Sequence, residues 1–266
     1  MDEDGQQTIQ SFAKLMQVLP DGANDEGAKV FMQKMVSELA IPSELYDAEM
    51  PSDFLIYSPE NKALRNFQDE GQILPLGIQG QGLFRLVKEF AHHNEEAFAE
   101  LLAELQVIDW FENLTLPTNG FASESLLKIE DRFLEEGFQW FDQRSANEGF
   151  LFLLFYFSLF ISSNTPKFFA IDNIEASFNP KLCIELVKRL VALGKSKDKQ
   201  VIATTHNPAV LDGLNLMDEE QRLFVLRRNI DGHTIAHRVM PNSYNPEVRL
   251  SEAWTRGYLG GLPNNF

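Results

Sequence analysis

Apolar residues recur every three or four positions along much of the chain, the spacing that places them on one face of an α-helix. Two such patterns fill residues 1–50, and Pro42 ends the second of them. After a glycine-rich loop at residues 75–84, amphipathic helices are predicted at about residues 83–92 and 94–106. The first part of the chain is therefore predicted to be mainly helical.

The next segments have less regular patterns. Residues 107–122 are predicted to be irregular or extended. In residues 123–144, leucine and phenylalanine alternate with acidic residues, which we interpret as a further helical segment. We therefore predict a boundary at residue 144, between a helical lobe (1–144) and a second domain (145–266).

The second domain has short apolar runs that are separated by a helical pattern. Residues 167–172 and 200–205 are predicted to be buried strands, with a helix at residues 181–193 between them. This order predicts a right-handed crossover and a parallel sheet. Two more strands are predicted at residues 222–227 and 234–239. The predicted fold class is α/β, with a parallel sheet and a mainly helical amino-terminal lobe.

The longest apolar run is 12 residues, from Phe150 to Ile161. A membrane span needs about 20 residues, so this run is predicted to be a buried core helix. The single cysteine, Cys183, and the acidic amino terminus without a secretory signal are typical of a cytoplasmic protein. The formal net charge of −16 repels nucleic acid, so direct binding by this segment is not expected without a local basic patch or another subunit.

A first candidate motif is FFAIDNIEASFNP, residues 168–180. An apolar strand ends here at Asp172, and P-loop ATPases use an aspartate in this place to hold Mg²⁺. Many strands also end in an acidic residue before a turn without binding a metal. The pattern alone leaves both interpretations open.

A second candidate motif is QVIATTHNPAVLDGL, residues 200–214, in which polar residues follow a buried strand. His206 at this strand end could reach a γ-phosphate or an attacking water. Asn207 followed by Pro208 is typical of a helix N-cap, an interpretation that does not by itself require a histidine. The spacing of 34 residues between Asp172 and His206 leaves room for one crossover helix and one strand, so we expect both strand ends at one cleft.

A third candidate motif precedes the other two. Asn147, Glu148 and Gly149 form a polar turn at the start of the apolar helix. The free N–H groups at a helix amino terminus can bind phosphate. An ordinary helix start would have the same pattern.

Taken in chain order, the three motifs resemble those of the ABC-class ATPases, in the branch that includes RecF, SMC and OLD-type proteins. The resemblance covers about residues 144–214. It implies that Asn147, Glu148 and Gly149 are the signature turn and contact nucleotide, that Asp172 is the Walker B aspartate, that residues 176–180 are the D-loop and that His206 is the switch histidine. ATP and Mg²⁺ are the implied cofactors. Three further segments, at residues 54–61, 75–84 and 251–266, are similar to the ATPase of Septu-type and retron-associated anti-phage defence.

The sequence departs from this family in two ways. The catalytic glutamate position holds Asn173, and an amide cannot act as a general base. Glu175 could substitute, or hydrolysis could be slow or absent. The sequence also contains no GxxxxGK[ST], and Gly194-Lys195-Ser196 ends a predicted helix instead of opening one. We therefore expect a chain that is truncated, split from a partner or part of a longer protein, and that needs a P-loop from elsewhere to bind ATP.

Three functional classes fit these observations. The first is an ATPase that forms a homodimer or larger oligomer around nucleotide and controls an effector subunit such as a nuclease. The second is a binding or scaffold module that has lost turnover, which Asn173 favours. The third is a metal-dependent hydrolase that uses Asp172, Glu175 and His206, although these are few ligands.

Overall fold

The computed structural model describes residues 54–66, 75–116, 126–135, 137–245 and 247–260. The chain divides into two compact units, one of which comprises residues 55–214. The other combines both ends of the chain, and its described part is residue 54 and residues 215–260 without residue 246. The helices predicted within residues 1–50 lie outside the described residues.

The 55–214 unit is built around a parallel sheet of three strands, in the order β1-β5-β6. Its elements, in chain order, are β1 (Ile56–Tyr57), α1 (Asn61–Arg65), α2 (Leu83–His93), α3 (Glu95–Leu105), β2 (Phe111–Thr115), β3 (Lys128–Asp131), β4 (Trp140–Asp142), α4 (Glu148–Ile161), β5 (Phe168–Ile171), α5 (Pro180–Ser196), β6 (Gln200–Ala203) and α6 (Pro208–Leu211). Helix α5 is the crossover between β5 and β6, as predicted. Its last turn contains Gly194, Lys195 and Ser196, so this tripeptide ends a helix, also as predicted.

The α/β fold class is confirmed. The predictions for residues 83–92 and 94–106 are confirmed as α2 and α3, and the segment from 107 to 122 contains β2. The helix predicted in residues 123–144 is wrong, because this segment contains β3 and β4, which form an antiparallel sheet with β2. Leu127 and Ile129 are buried and alternate with partly exposed residues, which is the two-residue period of a strand.

Helix α4 forms the centre of the hydrophobic core. All twelve residues from Phe150 to Ile161 are buried, so the apolar run is a core helix surrounded by protein on every side. No helix among the described residues is long and apolar enough to cross a membrane.

The described part of the other unit contains β7 (Leu223–Arg228), β8 (Thr234–Val239) and α7 (Leu250–Thr255). The two strands pair antiparallel, which confirms the predicted strand pair. The boundary predicted at residue 144 falls inside the 55–214 unit, between β4 and α4. As a division between two functional parts, it stays a prediction.

Lys199 holds the carboxyl end of α4. Its ammonium group donates to the Leu159 and Ser162 carbonyl oxygens, each at 2.8 Å, and to the Thr165 hydroxyl. Carbonyls at a helix end lack partners within the helix, and a cation there also interacts favourably with the helix dipole. Burial, followed by the charges of Lys167 and Lys197, lowers the pKa of Lys199 to about 8.

This lowered pKa predicts a pH-dependent stability. A lysine in the unfolded chain has a pKa of about 10.4. Between pH 8 and 10 the unfolded state therefore binds a proton that the folded state has lost, so the free energy of unfolding rises with pH. We expect the free energy of unfolding of the wild type, relative to Lys199→Met, to increase from pH 7.5 to pH 9.5. Urea unfolding at both pH values measures the difference, and an equal difference at both would contradict the prediction.

Candidate functional site

The two predicted strand ends meet at one edge of the parallel sheet. Ile171 and Ala203 are paired in register, so the residues that follow them are neighbours. The Thr204 hydroxyl donates to the Asp172 carboxylate at 2.5 Å and accepts from the Asn173 backbone N–H at 2.9 Å. The predicted proximity of the two ends is therefore confirmed.

The backbone of Asn173 has a left-handed conformation. Its φ of 51° lies in the left-handed region, which asparagine tolerates better than most residues. Its side-chain amide donates to Asp172 at 3.4 Å, and the residue is exposed. The backbone therefore provides a reason for asparagine here that is separate from any role in catalysis.

Glu175 connects the segment after β5 to the segment after β6. One carboxylate oxygen, Oε1, accepts from the backbone N–H of His206 at 2.9 Å. The other, Oε2, is buried and has no hydrogen-bond partner among the described residues. An unpaired buried carboxylate oxygen costs free energy. The hydrogen bond between Oε1 and the His206 backbone therefore holds this side chain in place.

Two buried groups, Tyr156 of α4 and Cys183 of α5, interact electrostatically with Glu175. Burial, followed by the charges of Glu175 and Asp172, raises the pKa of Tyr156, whose hydroxyl has no hydrogen-bond partner among the described residues. Burial and the charge of Glu175 also raise the pKa of Cys183 to about 11. Both groups are therefore neutral at neutral pH, and the negative charge under the strand ends belongs to the carboxylates.

The segment after β6 fixes a backbone and leaves one side chain exposed. Asn207 caps α6 by accepting from the Ala209 N–H at 3.0 Å, and its amide lies 3.8 Å from the Cys183 sulfur. The predicted capping role of Asn207 is thus confirmed. The His206 side chain is exposed and makes no hydrogen bond with the described residues, so it is available for a ligand.

The turn that precedes α4 packs against the segment after β5. Asn147 accepts from the Phe150 N–H at 2.7 Å and is the N-cap of the helix, which begins at Glu148. A side chain on Gly149 would place its Cβ 3.1 Å from the Ser177 carbonyl oxygen, so glycine permits this close approach. Ser177 itself has a left-handed backbone, with a φ of 67°. Gly149, the last of the three turn residues, thus lies against the 176–180 segment within the same chain.

Asp172 has the chemistry of a Mg²⁺-holding residue. It is a partly exposed carboxylate beside a hydroxyl and an amide, and oxygen donors are the ligands that Mg²⁺ prefers. Over the part of the chain that the structure describes, no three or more His, Cys, Asp or Glu side chains form a metal-binding group. Asp172, Glu175 and His206 therefore do not form the three-ligand centre that a metal-dependent hydrolase would need.

Three features of this site are not predicted from the sequence. The first is the bridging role of Thr204, one of the polar residues that follow β6. Tyr156 was not predicted either, although it and Ser158 are the two polar residues in the run from Phe150 to Ile161. The Glu175 contact with the His206 backbone has no sequence signal, because it depends on the path of two loops.

The chain is similar to one known protein family and to a solved structure. Residues 85–212, just under half of the chain, match the family described as "AAA domain, putative AbiEii toxin, Type IV TA system". No curated protein matches the chain. A solved structure from a study titled "Structural biochemistry of ATP-driven dimerization and DNA stimulated activation of SMC ATPases" is 15% identical, with a TM-score of 0.42, over 65% of this chain and 91% of that chain. By the family match, residues 85–212, which include Asn147, Asp172 and His206, are similar to this family of AAA domains.

Proposed function

We propose that this chain supplies the Mg²⁺-holding and switch half of an ABC-class ATPase site. The observation that carries the proposal is the hydrogen-bonded network at the sheet edge, in which Thr204 contacts Asp172 and Glu175 holds the backbone of His206. The AAA-domain match supports it, because the matched residues contain both strand ends and the turn before α4.

Each motif residue then has a distinct task. Asp172 would hold Mg²⁺ through water, and the bound ion would neutralise phosphate charge. His206 would contact the γ-phosphate or the attacking water with its exposed side chain. The amino terminus of α4, at Asn147, Glu148 and Gly149, would direct N–H groups towards phosphate. Tight ATP binding would require a P-loop segment, and we call the chain together with such a segment the complete ATPase.

The finer proposals concern turnover and partners. Without a general base at position 173, hydrolysis should be slow and the nucleotide-bound state long-lived. We further propose a homodimer or larger oligomer that closes around ATP and controls an effector subunit such as a nuclease in anti-phage defence. The alternative is an inactive binding or scaffold module, which the amide at position 173 favours.

Substitutions of His206 and Asn207 should have opposite effects on stability and turnover. His206→Ala removes an exposed side chain without hydrogen bonds, so the free energy of unfolding should change by less than about 0.5 kcal/mol. Asn207→Ala removes a helix cap and should cost about 1 kcal/mol. In the complete ATPase, His206→Ala should abolish ATP turnover. Urea unfolding and a phosphate-release assay measure both effects, and an unfolded His206→Ala chain would show that this residue is structural.

Glu175 is either a positioning residue or a replacement general base, and two substitutions distinguish these roles. Glu175→Gln keeps an oxygen that can accept from the His206 N–H but cannot take a proton, whereas Glu175→Ala removes the acceptor. If Glu175 positions the segment, the Gln variant should keep most of the turnover and the Ala variant should lose it. Loss of turnover by both variants, about 10²-fold or more, would identify Glu175 as the base.

Substitutions of Asn173 test whether position 173 limits hydrolysis. Asn173→Glu supplies a general base but places a less tolerant residue in a left-handed position, at a cost of about 1–2 kcal/mol. Asn173→Gln has the same length and a similar conformational cost without the base, and is the matched control. If position 173 limits hydrolysis, only the Glu variant should turn over faster, and the ATP-dependent dimer measured by light scattering should become shorter-lived. Equal turnover in the wild type and the Glu variant would favour the inactive module.

A further inference from the structure

Two of the buried polar atoms that lack a hydrogen-bond partner among the described residues have complementary chemistry. They are the hydroxyl oxygen of Tyr156, in α4, and Oε2 of Glu175, in the segment after β5. A tyrosine hydroxyl can donate a hydrogen bond, and an ionised carboxylate can only accept one. Because an unpaired buried polar group costs free energy, a connection between these two atoms would stabilise both.

The packing of α4 brings Tyr156 next to the turn that begins at Glu175. The Phe178 N–H donates to the Glu175 carbonyl oxygen at 3.1 Å and closes this turn. The ring of Tyr156 packs against the ring of Phe178, with 6.1 Å between the two centroids. The charge of Glu175 acts on the same hydroxyl, since it is the largest cause after burial that raises the pKa of Tyr156. The hydroxyl and the carboxylate are therefore neighbours in the core.

Tyr57 of β1 is a natural comparison for Tyr156. Its hydroxyl is also buried, without a hydrogen-bond partner among the described residues. Its ring makes edge contacts with Phe155 and Phe169, at 5.9 and 5.6 Å between centroids. Burial raises the pKa of Tyr57, and no carboxylate contributes to this increase. The chain thus has two buried tyrosine hydroxyls, and only that of Tyr156 has an acidic neighbour.

We propose that Tyr156 is a positioning residue, whose hydroxyl is joined to Oε2 of Glu175 by one internal water molecule. The hydroxyl donates to the water, and the water donates to Oε2. A water is required because the two atoms make no direct hydrogen bond, and internal waters typically join buried polar groups that lack other partners. With Oε2 held in this way, Oε1 stays in place as the acceptor for the His206 N–H, at 2.9 Å.

The consequence is that the core helix sets the position of the switch residue through a single carboxylate. Tyr156 touches neither phosphate nor metal, and it acts only through Glu175. The inference rests on the proposed function, which gives the position of His206 its use. The contact itself is tested in the chain alone, so its failure and that of the proposed function can be told apart.

Hydrogen exchange in the 266-residue chain tests the proposal. Tyr156→Phe removes the hydroxyl and keeps the ring, and Tyr57→Phe is the matched control. We expect the His206 amide to exchange at least about tenfold faster in Tyr156→Phe and at the wild-type rate in Tyr57→Phe. The Ala170 amide, which belongs to the parallel sheet, should exchange equally slowly in all three chains and shows that the sheet is folded.

A second background shows whether Tyr156 acts through Glu175. Glu175→Ala removes both carboxylate oxygens, so the His206 amide should already exchange fast in this variant. Adding Tyr156→Phe should then change the His206 exchange rate by less than about twofold. Stability gives a separate readout. Tyr156→Phe should lower the urea midpoint because it breaks a hydrogen-bonded connection, whereas Tyr57→Phe removes an unpaired hydroxyl and should not lower it.

Should Tyr156→Phe fail to fold, the wild-type chain decides the result. The ring protons of Tyr156 next to the hydroxyl should then show a nuclear Overhauser effect to a long-lived bound water, and those of Tyr57 should show none. Absence of this effect at Tyr156 would overturn the proposal.

Three outcomes of the exchange experiment would also overturn it. They are unchanged His206 exchange in Tyr156→Phe, an equal acceleration in Tyr57→Phe, which would be an effect of core packing, and further acceleration by Tyr156→Phe in the Glu175→Ala background. ATP turnover of the complete ATPase is measured separately. Faster His206 exchange with unchanged turnover supports the positioning contact and counts against the proposed function. Lost turnover with unchanged exchange overturns the contact and leaves the proposed function standing.

Discussion

The parallel ladder between β5 and β6 is the constraint on which the candidate site depends. It sets Ile171 opposite Ala203, and this register brings the Thr204 hydroxyl within reach of both Asp172 and the Asn173 backbone. A slip of one residue would turn every β6 side chain to the opposite face of the sheet. The contact between Glu175 and the His206 backbone is a consequence of the same register, because it joins the two segments that leave these strands.

Helix α4 stabilises this arrangement through contacts at both of its ends. Its amino-terminal turn packs against the Ser177 carbonyl, and its carboxyl end is held by the Lys199 ammonium group. Tyr156 lies between these ends, and its pKa is raised in part by the charges of Glu175 and Asp172. A single buried helix thus connects the phosphate-binding candidate at one end with the buried side of the carboxylate network.

The success of the sequence predictions follows from the length of the patterns. Uninterrupted apolar runs identified β5 and α4, because a buried element needs apolar residues on every side. The apolar run of β6 also identified a strand, but its predicted burial is wrong, because Ile202 and Ala203 are exposed. The helix prediction for residues 123–144 is wrong because β3 and β4, with four and three residues, are too short to establish a period. The left-handed φ of Asn173 is compatible with its residue type but is not dictated by it. Contacts between a side chain and a distant backbone, such as that of Glu175, depend on loop paths that no local pattern encodes.

The chain has a single thiol, and its position gives it a use as a chemical reporter. Cys183 is buried in α5, its sulfur lies 3.8 Å from the Asn207 amide, and its pKa is raised to about 11. In the closed arrangement a thiol-reactive dye therefore meets neither an accessible sulfur nor a thiolate. An opening of the Asn207 segment would break this contact. The rate of labelling at this one native residue would then report, without any engineered probe, how often the segment that carries His206 opens.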